Sequence, residues 1–459
     1  MRLRDWQKEC ADHAMQRFEL SSHYFCQATP AAGKTILAAE IASRLLGKQN
    51  IDLVVCFAPS CQVVNAVQRT FEKVLGRSFD GRIGAAGVAV TYQSLDHQGA
   101  SFWRLFDQYR VFAVFDEIHH CSAGSDALIP NSWGQRVVQE IQDRATYTLA
   151  LSGTPWRSDE QAIALARYSD PDGRLMVDYQ YSMRRAVSEQ VCRRPEITLV
   201  DHDLVRLVES GSEEQKYSSL RHLLRHTDVT YEALVTHEVL NRHLLELGNC
   251  QLDAFRSKTP DAAALAVATS IDHAYQLAGY LVELGEDPVI VTTRTADANA
   301  EIDRFRHSTQ RWIVAVGMIS EGTDIPRLQV CCYLSRVRTE LYFRQVLGRI
   351  LRRRAARDYS SSLLMIAETE LIKFAKRVDE DLPDELGVLK FQTLGASGVN
   401  EPTCGDGGDT AEGNVADIDV SGLDGANVHE EAKSGLAKSA DMLHVTFDGM
   451  FRHQLLALF

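Results

Sequence analysis

The chain has no uninterrupted apolar run of about 18 residues, the length a membrane-crossing helix needs. Its first residues, Met1, Arg2, Leu3, Arg4, Asp5 and Trp6, do not resemble a leader peptide. Both absences point to a soluble cytoplasmic protein with no membrane partner. None of the ten cysteines belongs to a Cys-x-x-Cys pair, which argues against a disulfide framework and for reduced, buried thiols. The His237-Glu238 step is followed by Asn241 where a zinc protease would carry its second histidine, so no such metal site is read there. No short-period repeat is present. An excess of basic residues is also missing: the net charge is −13, which on its face disfavours a polyanionic partner.

The distribution of charge removes that objection. From position 379 to the last residue there are 16 acidic and four basic side chains, whereas positions 1–378 hold 46 acids against 45 bases. The body is close to neutral and can carry a basic groove; the acidity is in the tail. With 459 residues, 45% of them hydrophobic, the chain can bury a sizeable core and is long enough for two or three domains.

Strands and helices alternate over the first 160 positions in the βαβ manner. Strands are expected at 53–58, 88–92, 111–115 and 146–151, with a helix at 35–46. A second α/β pattern gives strands at 265–268, 288–292, 313–316, 330–334 and 362–366. Between the two patterns, 204–256 reads as mostly helical. Positions 395–425 turn to Gly, Asp, Asn, Ser and Thr, the composition of a flexible linker. A short apolar segment, 442–459, closes the chain. It could dock on the body, dock on a partner, or form one terminal helix. The expected organisation is a first α/β domain at 1–190, a helical connecting segment at 191–260, a second α/β domain at 261–378 and an acidic tail at 379–459.

The chemistry concentrates at two places. Ala28, Thr29, Pro30, Ala31, Ala32, Gly33, Lys34 and Thr35 run in succession between a strand and a helix and read as a phosphate-binding loop, with Ala28 where the strict pattern has Gly. Main-chain N–H groups over Thr29, Ala32 and Gly33 would wrap a triphosphate, Lys34 would neutralise its outer phosphates, and the Thr35 hydroxyl would hold Mg²⁺. Asp116 and Glu117 follow an apolar run that looks like a buried parallel strand. A carboxylate pair at such a strand tip suits a magnesium partner, Asp116 acting through water, and a general base, Glu117. His119, His120 and Cys121 adjoin the pair, but adjacent residues do not all face one ion.

Asp116-Glu117-Ile118-His119, Ser152-Gly153-Thr154-Pro155 and the Gln345 to Arg352 stretch (Q-x-x-G-R-x-x-R) occur in the order seen in superfamily 2 helicases of the DEAD/DEAH type. The chain resembles that family over 3–352, and within it the bacterial and phage DNA helicases related to restriction motor subunits. The resemblance implies two tandem RecA-like P-loop NTPase domains, α/β in class, with a helical intervening segment and a flexible acidic tail. It implies ATP and Mg²⁺ as cofactors, with Arg4 and Gln7 contacting the adenine base. Gln345, Arg349 and Arg352 become catalytic candidates, the two arginines as fingers three apart on one helix face. Gly322 and Asp324, within the Glu-Gly-Thr-Asp-Ile-Pro stretch, would meet the ribose. Pro59, Ser60, Thr91, Gln93 and Ser270 would touch a nucleic-acid backbone without reading bases.

The expected activity is ATP-dependent helicase or translocase action, on DNA in preference to RNA. No nuclease motif is present, so cleavage would require another protein, met through the C-terminal segment, and a place in phage defence or DNA repair would follow. Two other readings stay open: an RNA helicase, and an ATP-gated binding scaffold that unwinds nothing. The presence of Lys34, Glu117, Arg349 and Arg352 argues against the scaffold.

Overall fold

The computed structural model describes residues 2–122, 132–155, 162–169, 174–209, 214–317, 324–354, 358–378 and 443–457. The first lobe is built on strands β1 (His23–Ala28), β2 (Leu53–Ala58), β3 (Gly87–Thr91), β4 (Val111–Asp116) and β5 (Tyr147–Ser152). A two-stranded hairpin, β6 (Arg167–Tyr168) and β7 (Leu175–Met176), precedes β8 (Tyr179–Tyr181). The main sheet runs β3-β2-β4-β5-β1-β8 with every pairing parallel. Parallel sheets need both faces covered, and the strands here supply two cores by alternation. Phe112 and Val114 of β4 enter one apolar cluster, whereas Val111, Ala113 and Phe115 enter the other.

The second lobe begins earlier than the sequence pattern indicates. Strand β9 (Arg194–His202) lies in the second sheet, parallel to β16 (Ser360–Ile366), with Ser360 opposite Arg194 and Ile366 opposite Val200. Two further strands follow, β10 (Val205–Glu209) and β11 (Gln215–Tyr217). The helix Glu238–Arg256 packs against β12 (Ala263–Ala268), β15 (Leu328–Leu334) and β16. The stretch expected as a helical connecting segment at 191–260 is therefore an integral part of the second lobe. Its opening strand escaped notice because Arg194, Pro195 and Glu196 mask the apolar Ile197, Leu199 and Val200, all buried. With β13 (Val289–Val291), β14 (Trp312–Ala315) and a C-terminal strand β18 (Phe451–Ala457), the sheet order is β13-β14-β12-β15-β16-β9-β18.

The last of these strands comes from the C-terminus. Residues 443–457 form two strands, β17 (Leu443–Phe447) and β18 (Phe451–Ala457), not one terminal helix. β17 pairs antiparallel with β10, and β18 pairs antiparallel with β9. Asp203 fixes the turn between them by accepting from the Met450 N–H at 2.6 Å. His243 stacks flat on Phe451, centroids 3.7 Å apart. The apolar terminal segment thus docks on the body by extending the sheet edge.

One buried ion pair ties the second lobe together. Arg193, fully buried, meets both carboxylate oxygens of Asp358, Nε at 2.5 Å and Nη2 at 2.7 Å. Its remaining donors reach the carbonyls of Ile350 at 2.9 Å, Pro326 at 2.9 Å, and Leu328. Asp358 also accepts from Gln329 and from the Arg354 N–H. The residue that opens the second lobe is thereby locked to the end of the helix Glu340–Ile350. Removing one member leaves the other charge buried and unpaired, so Arg193→Ala should lower stability by about 3–5 kcal/mol. Thermal unfolding of the two chains checks this; a midpoint within a degree of the parent would contradict the assignment.

Candidate nucleotide-binding site

β1 ends at Ala28, and the chain turns through Thr29 to Gly33 before entering the helix Lys34–Gly47. Gly33 has φ 96°, in the left-handed region, and an added Cβ would lie 2.9 Å from Gln7 Nε2. A glycine is required here on both counts. Of the first-turn N–H groups, that of Ile36 donates to the Gly33 carbonyl at 3.2 Å; the start of such a helix suits an anion. Arg4 and Gln7 are brought to this loop: Arg4 Nη1 donates to the Ala32 carbonyl at 2.5 Å and Gln7 Nε2 to the Gly33 carbonyl at 3.0 Å. The Arg4 N–H in turn donates to Gln7 Oε1 at 2.9 Å.

The two carboxylates at the tip of β4 have different surroundings. Glu117 Oε1 lies 2.7 Å from Lys34 Nζ. Its other oxygen accepts from the Gly153 N–H at 3.1 Å and the Ser152 hydroxyl at 3.3 Å, with His119 Nδ1 at 3.4 Å. Burial alone would raise the Glu117 pKa, but Lys34 and then His119 override it and hold the group down at about 2. Asp116 shifts the other way, raised to about 6 by burial and by the neighbouring Glu117 charge. Paired carboxylates pushed apart in this way are suited to separate tasks. Asp116 Oδ1 is buried with no hydrogen-bond partner among the described residues. It lines one small cavity together with Thr35. A carboxylate oxygen and a hydroxyl are donors a hard cation takes, so Thr35 and Asp116 suit the expected magnesium by residue type, although the rest of this cavity is apolar, walled by Ala38, Phe57, Val67, Phe71, Val114 and Leu151.

The second lobe reaches this loop directly. On the helix Glu340–Ile350, Gly348 sits against Pro30 of the loop, so closely that an added Cβ would fall 2.7 Å from the Pro30 Cβ. A Cβ on Gly153 would lie 2.9 Å from Lys34 Nζ and 3.1 Å from the Pro30 ring. The cleft of about 360 Å³ here is lined from both lobes, by Gln27, Thr29, Pro30 and Gly153 and by Arg344, Leu347 and Val378. Gln345 and Arg349 lie one turn apart on the same helix, both half-buried.

Two expectations about this region need correction. The helix ends at Ile350 with Leu351 as its cap, and Arg352 lies beyond it, bridged to Cys192. Arg349 and Arg352 therefore do not share a helix face. Asp324, the expected ribose partner, is ion-paired with Arg352, and its carbonyl accepts from Arg306. Gly322 falls outside the described residues. Arg353 and Arg354 have structural partners: Arg353 donates to the Gln190 carbonyl at 2.6 Å, and Arg354 grips Asp261 at 2.7 and 2.8 Å.

The residues proposed to touch a polymer sit at helix and turn starts. Ser60, Thr91 and Ser270 each accept a capping N–H, from Val63, Ser94 and His273 respectively. A capping oxygen spends a lone pair and keeps its hydroxyl proton, so the phosphate-contact reading remains chemically open. Gln93 Nε2 donates to the Pro59 carbonyl at 3.1 Å, joining two of the expected contacts. Sequence reasoning missed what surrounds Glu117, namely Ser152, Gly153 and His119, although all three lie in quoted motifs. It also missed Tyr92, whose hydroxyl donates to the Asp116 carbonyl at 2.9 Å.

Comparison with known proteins gives a family match to the first lobe and a likeness of fold to both lobes. Residues 1–157 match the family model described as "Type III restriction enzyme, res subunit". The match lies within the first lobe and does not extend into the second. The uncharacterized protein Rv2917 of Mycobacterium tuberculosis (strain ATCC 25618 / H37Rv) is 28% identical over 460 residues, covering 92% of this chain and 72% of its own. The uncharacterized protein ML1624 of Mycobacterium leprae (strain TN) is 28% identical over 413 residues, covering 84% of this chain and 65% of its own. Among solved structures, the type ISP restriction-modification enzyme LlaBIII matches with a TM-score of 0.54 at 13% identity, covering 83% of this chain. This chain spans only 30% of that enzyme. A fragment assigned as an HsdR subunit of a type I restriction enzyme from Vibrio vulnificus YJ016 matches at 0.55 and 14% identity, over 83% of this chain and 67% of the fragment. At these identities the two structures establish the fold: tandem RecA-like lobes.

Glu117→Gln removes the carboxylate while leaving Lys34 free for phosphate. ATP affinity should be kept, and the single-turnover hydrolysis rate should fall by about 10²-fold or more, the usual general-base contribution. Nucleotide titration with rapid-quench hydrolysis measures both; normal hydrolysis by this variant would remove Glu117 as the base.

Proposed function

We propose that this chain is an ATP-dependent nucleic-acid motor, a helicase or translocase that hydrolyses ATP to ADP and phosphate between its two lobes and acts on DNA. The observation that carries the reading is the contact of both lobes with one loop. Lys34 and Glu117 stand beside a phosphate-loop proline that Gly348 of the second lobe touches directly. A nucleotide seated on that loop is within reach of groups from both lobes, so its arrival and hydrolysis can change how the lobes engage.

The residues divide the work as follows. Arg4 and Gln7 face the base from their positions on the loop carbonyls. Lys34 exchanges Glu117 for the terminal phosphates, which frees Glu117 to take a proton from the attacking water. Thr35 and Asp116 hold Mg²⁺, which when bound neutralises charge developing on the phosphate oxygens. Arg349 and Arg352 act as fingers from the second lobe, with Gln345 on the same helix as Arg349; Arg352 must first leave Asp324. Pro59, Ser60, Thr91, Gln93 and Ser270 grip a strand by its phosphates, so the motor positions a polymer without reading its sequence.

DNA is favoured over RNA because the match to the restriction res-subunit model covers the first lobe, and because LlaBIII is described as bound to DNA. A role in phage defence or repair, with a nuclease on a separate protein, follows from the same kinship. Steady-state ATPase rates at fixed low salt, with no polymer and with single-stranded DNA, duplex DNA or RNA, test the proposal. Strong stimulation by DNA is the expected result. Stimulation by RNA alone would select the RNA reading, and a negligible rate throughout in folded protein would select the scaffold.

A further inference from the structure

Tyr92 is fully buried and sits between Thr91 and Gln93, two of the residues proposed to contact polymer. Its ring stacks with Trp133 and with His120, centroids 6.2 and 6.3 Å away. Its hydroxyl donates across the lobe to the main-chain carbonyl of Asp116 at 2.9 Å. Burial pushes that hydroxyl's pKa well up, so it stays a donor at any working pH.

The carbonyl it holds belongs to the peptide that joins Asp116 to Glu117. Glu117 has φ 51° and ψ 55°, a left-handed conformation that a side chain bearing a Cβ adopts only when its surroundings impose it. The orientation of that single peptide sets where both carboxylates point. On its other side, Tyr92 begins the short turn Tyr92–His97. Thr91 Oγ1 closes the turn by accepting from the Ser94 N–H, and Gln93 ties it to the Pro59 carbonyl at 3.1 Å. The elements at 59–60 and 91–93 are thus one hydrogen-bonded unit, and Tyr92 is its link to the carboxylate strand.

We propose that Tyr92 is a positioning residue that transmits polymer occupancy at 59–60 and 91–93 to the Asp116–Glu117 peptide. A phosphate pulling on Thr91 or Gln93 shifts the turn, and the hydroxyl carries that shift to the carbonyl it holds. This inference rests on the reading of the chain as a polymer-stimulated ATPase.

Tyr92→Phe keeps the ring and deletes only the hydroxyl. The full chain and this variant are compared by ATPase rate without polymer and at saturating single-stranded or duplex DNA, by anisotropy of a fluorescein-labelled DNA oligonucleotide, and by thermal midpoint. The expected result is a stimulation ratio lowered by about fivefold or more, the lower end of coupling between sites, with the oligonucleotide Kd unchanged and the midpoint within a few degrees. An unchanged ratio, or equal proportional losses with and without DNA, overturns the inference and leaves the motor reading intact. A parent chain that neither polymer stimulates overturns both.

Discussion

The contact on which the site depends is the 2.7 Å pair between Lys34 and Glu117. A lysine nearly enclosed by protein needs a counter-charge, and Glu117 supplies it. In the proposed mechanism this pair sets the order of events: phosphate oxygens replace Glu117 at the lysine, and the carboxylate is then released for water. Ser152, His119 and the Gly153 N–H hold the other oxygen of Glu117, so releasing the lysine does not set the side chain adrift. Asp116, one residue away, has a buried oxygen with no hydrogen-bond partner among the described residues and lines the same cavity as Thr35.

The second constraint is the position of Pro30. It touches Gly348 of the other lobe so closely that a methyl group there would collide with it, and it packs tightly against Gly153 of its own lobe. The helix carrying Gly348 and Arg349 ends at Ile350, whose carbonyl is gripped by the buried Arg193. Arg193 in turn immediately precedes β9, the first strand of the second lobe. Pro30, Gly348, Ile350 and Arg193 thus form a continuous packed route from the loop into the second lobe's core.

The sequence made the nucleotide half of the site legible because its demands are local. A loop that must bend at Gly33 and present Lys34 and Thr35 leaves a compact motif, and a buried parallel strand such as β4 reads as one apolar run ending in Asp116 and Glu117. The expected strands of both sheets lie where their apolar runs placed them, within one or two residues. What depended on distant partners was not legible. The entry to β9 reads as charge and proline, and the partners of Arg193 and of the β9 backbone lie more than 150 positions away. The C-terminal hairpin reads as a generic apolar end until β9 and β10 offer it an edge. A three-residue spacing suggested a shared helix face for Arg349 and Arg352, but the helix stops between them.

The central claim is that residues of the second lobe complete a catalytic site seated on the first. Single-turnover hydrolysis of ATP by Arg349→Ala and Arg352→Ala, with ATP binding measured in parallel, tests it most directly. The account predicts that ATP still binds and that the chemical step slows by about 10³-fold or more, as arginine fingers do elsewhere. An undiminished chemical step in both variants would contradict it and confine catalysis to the first lobe.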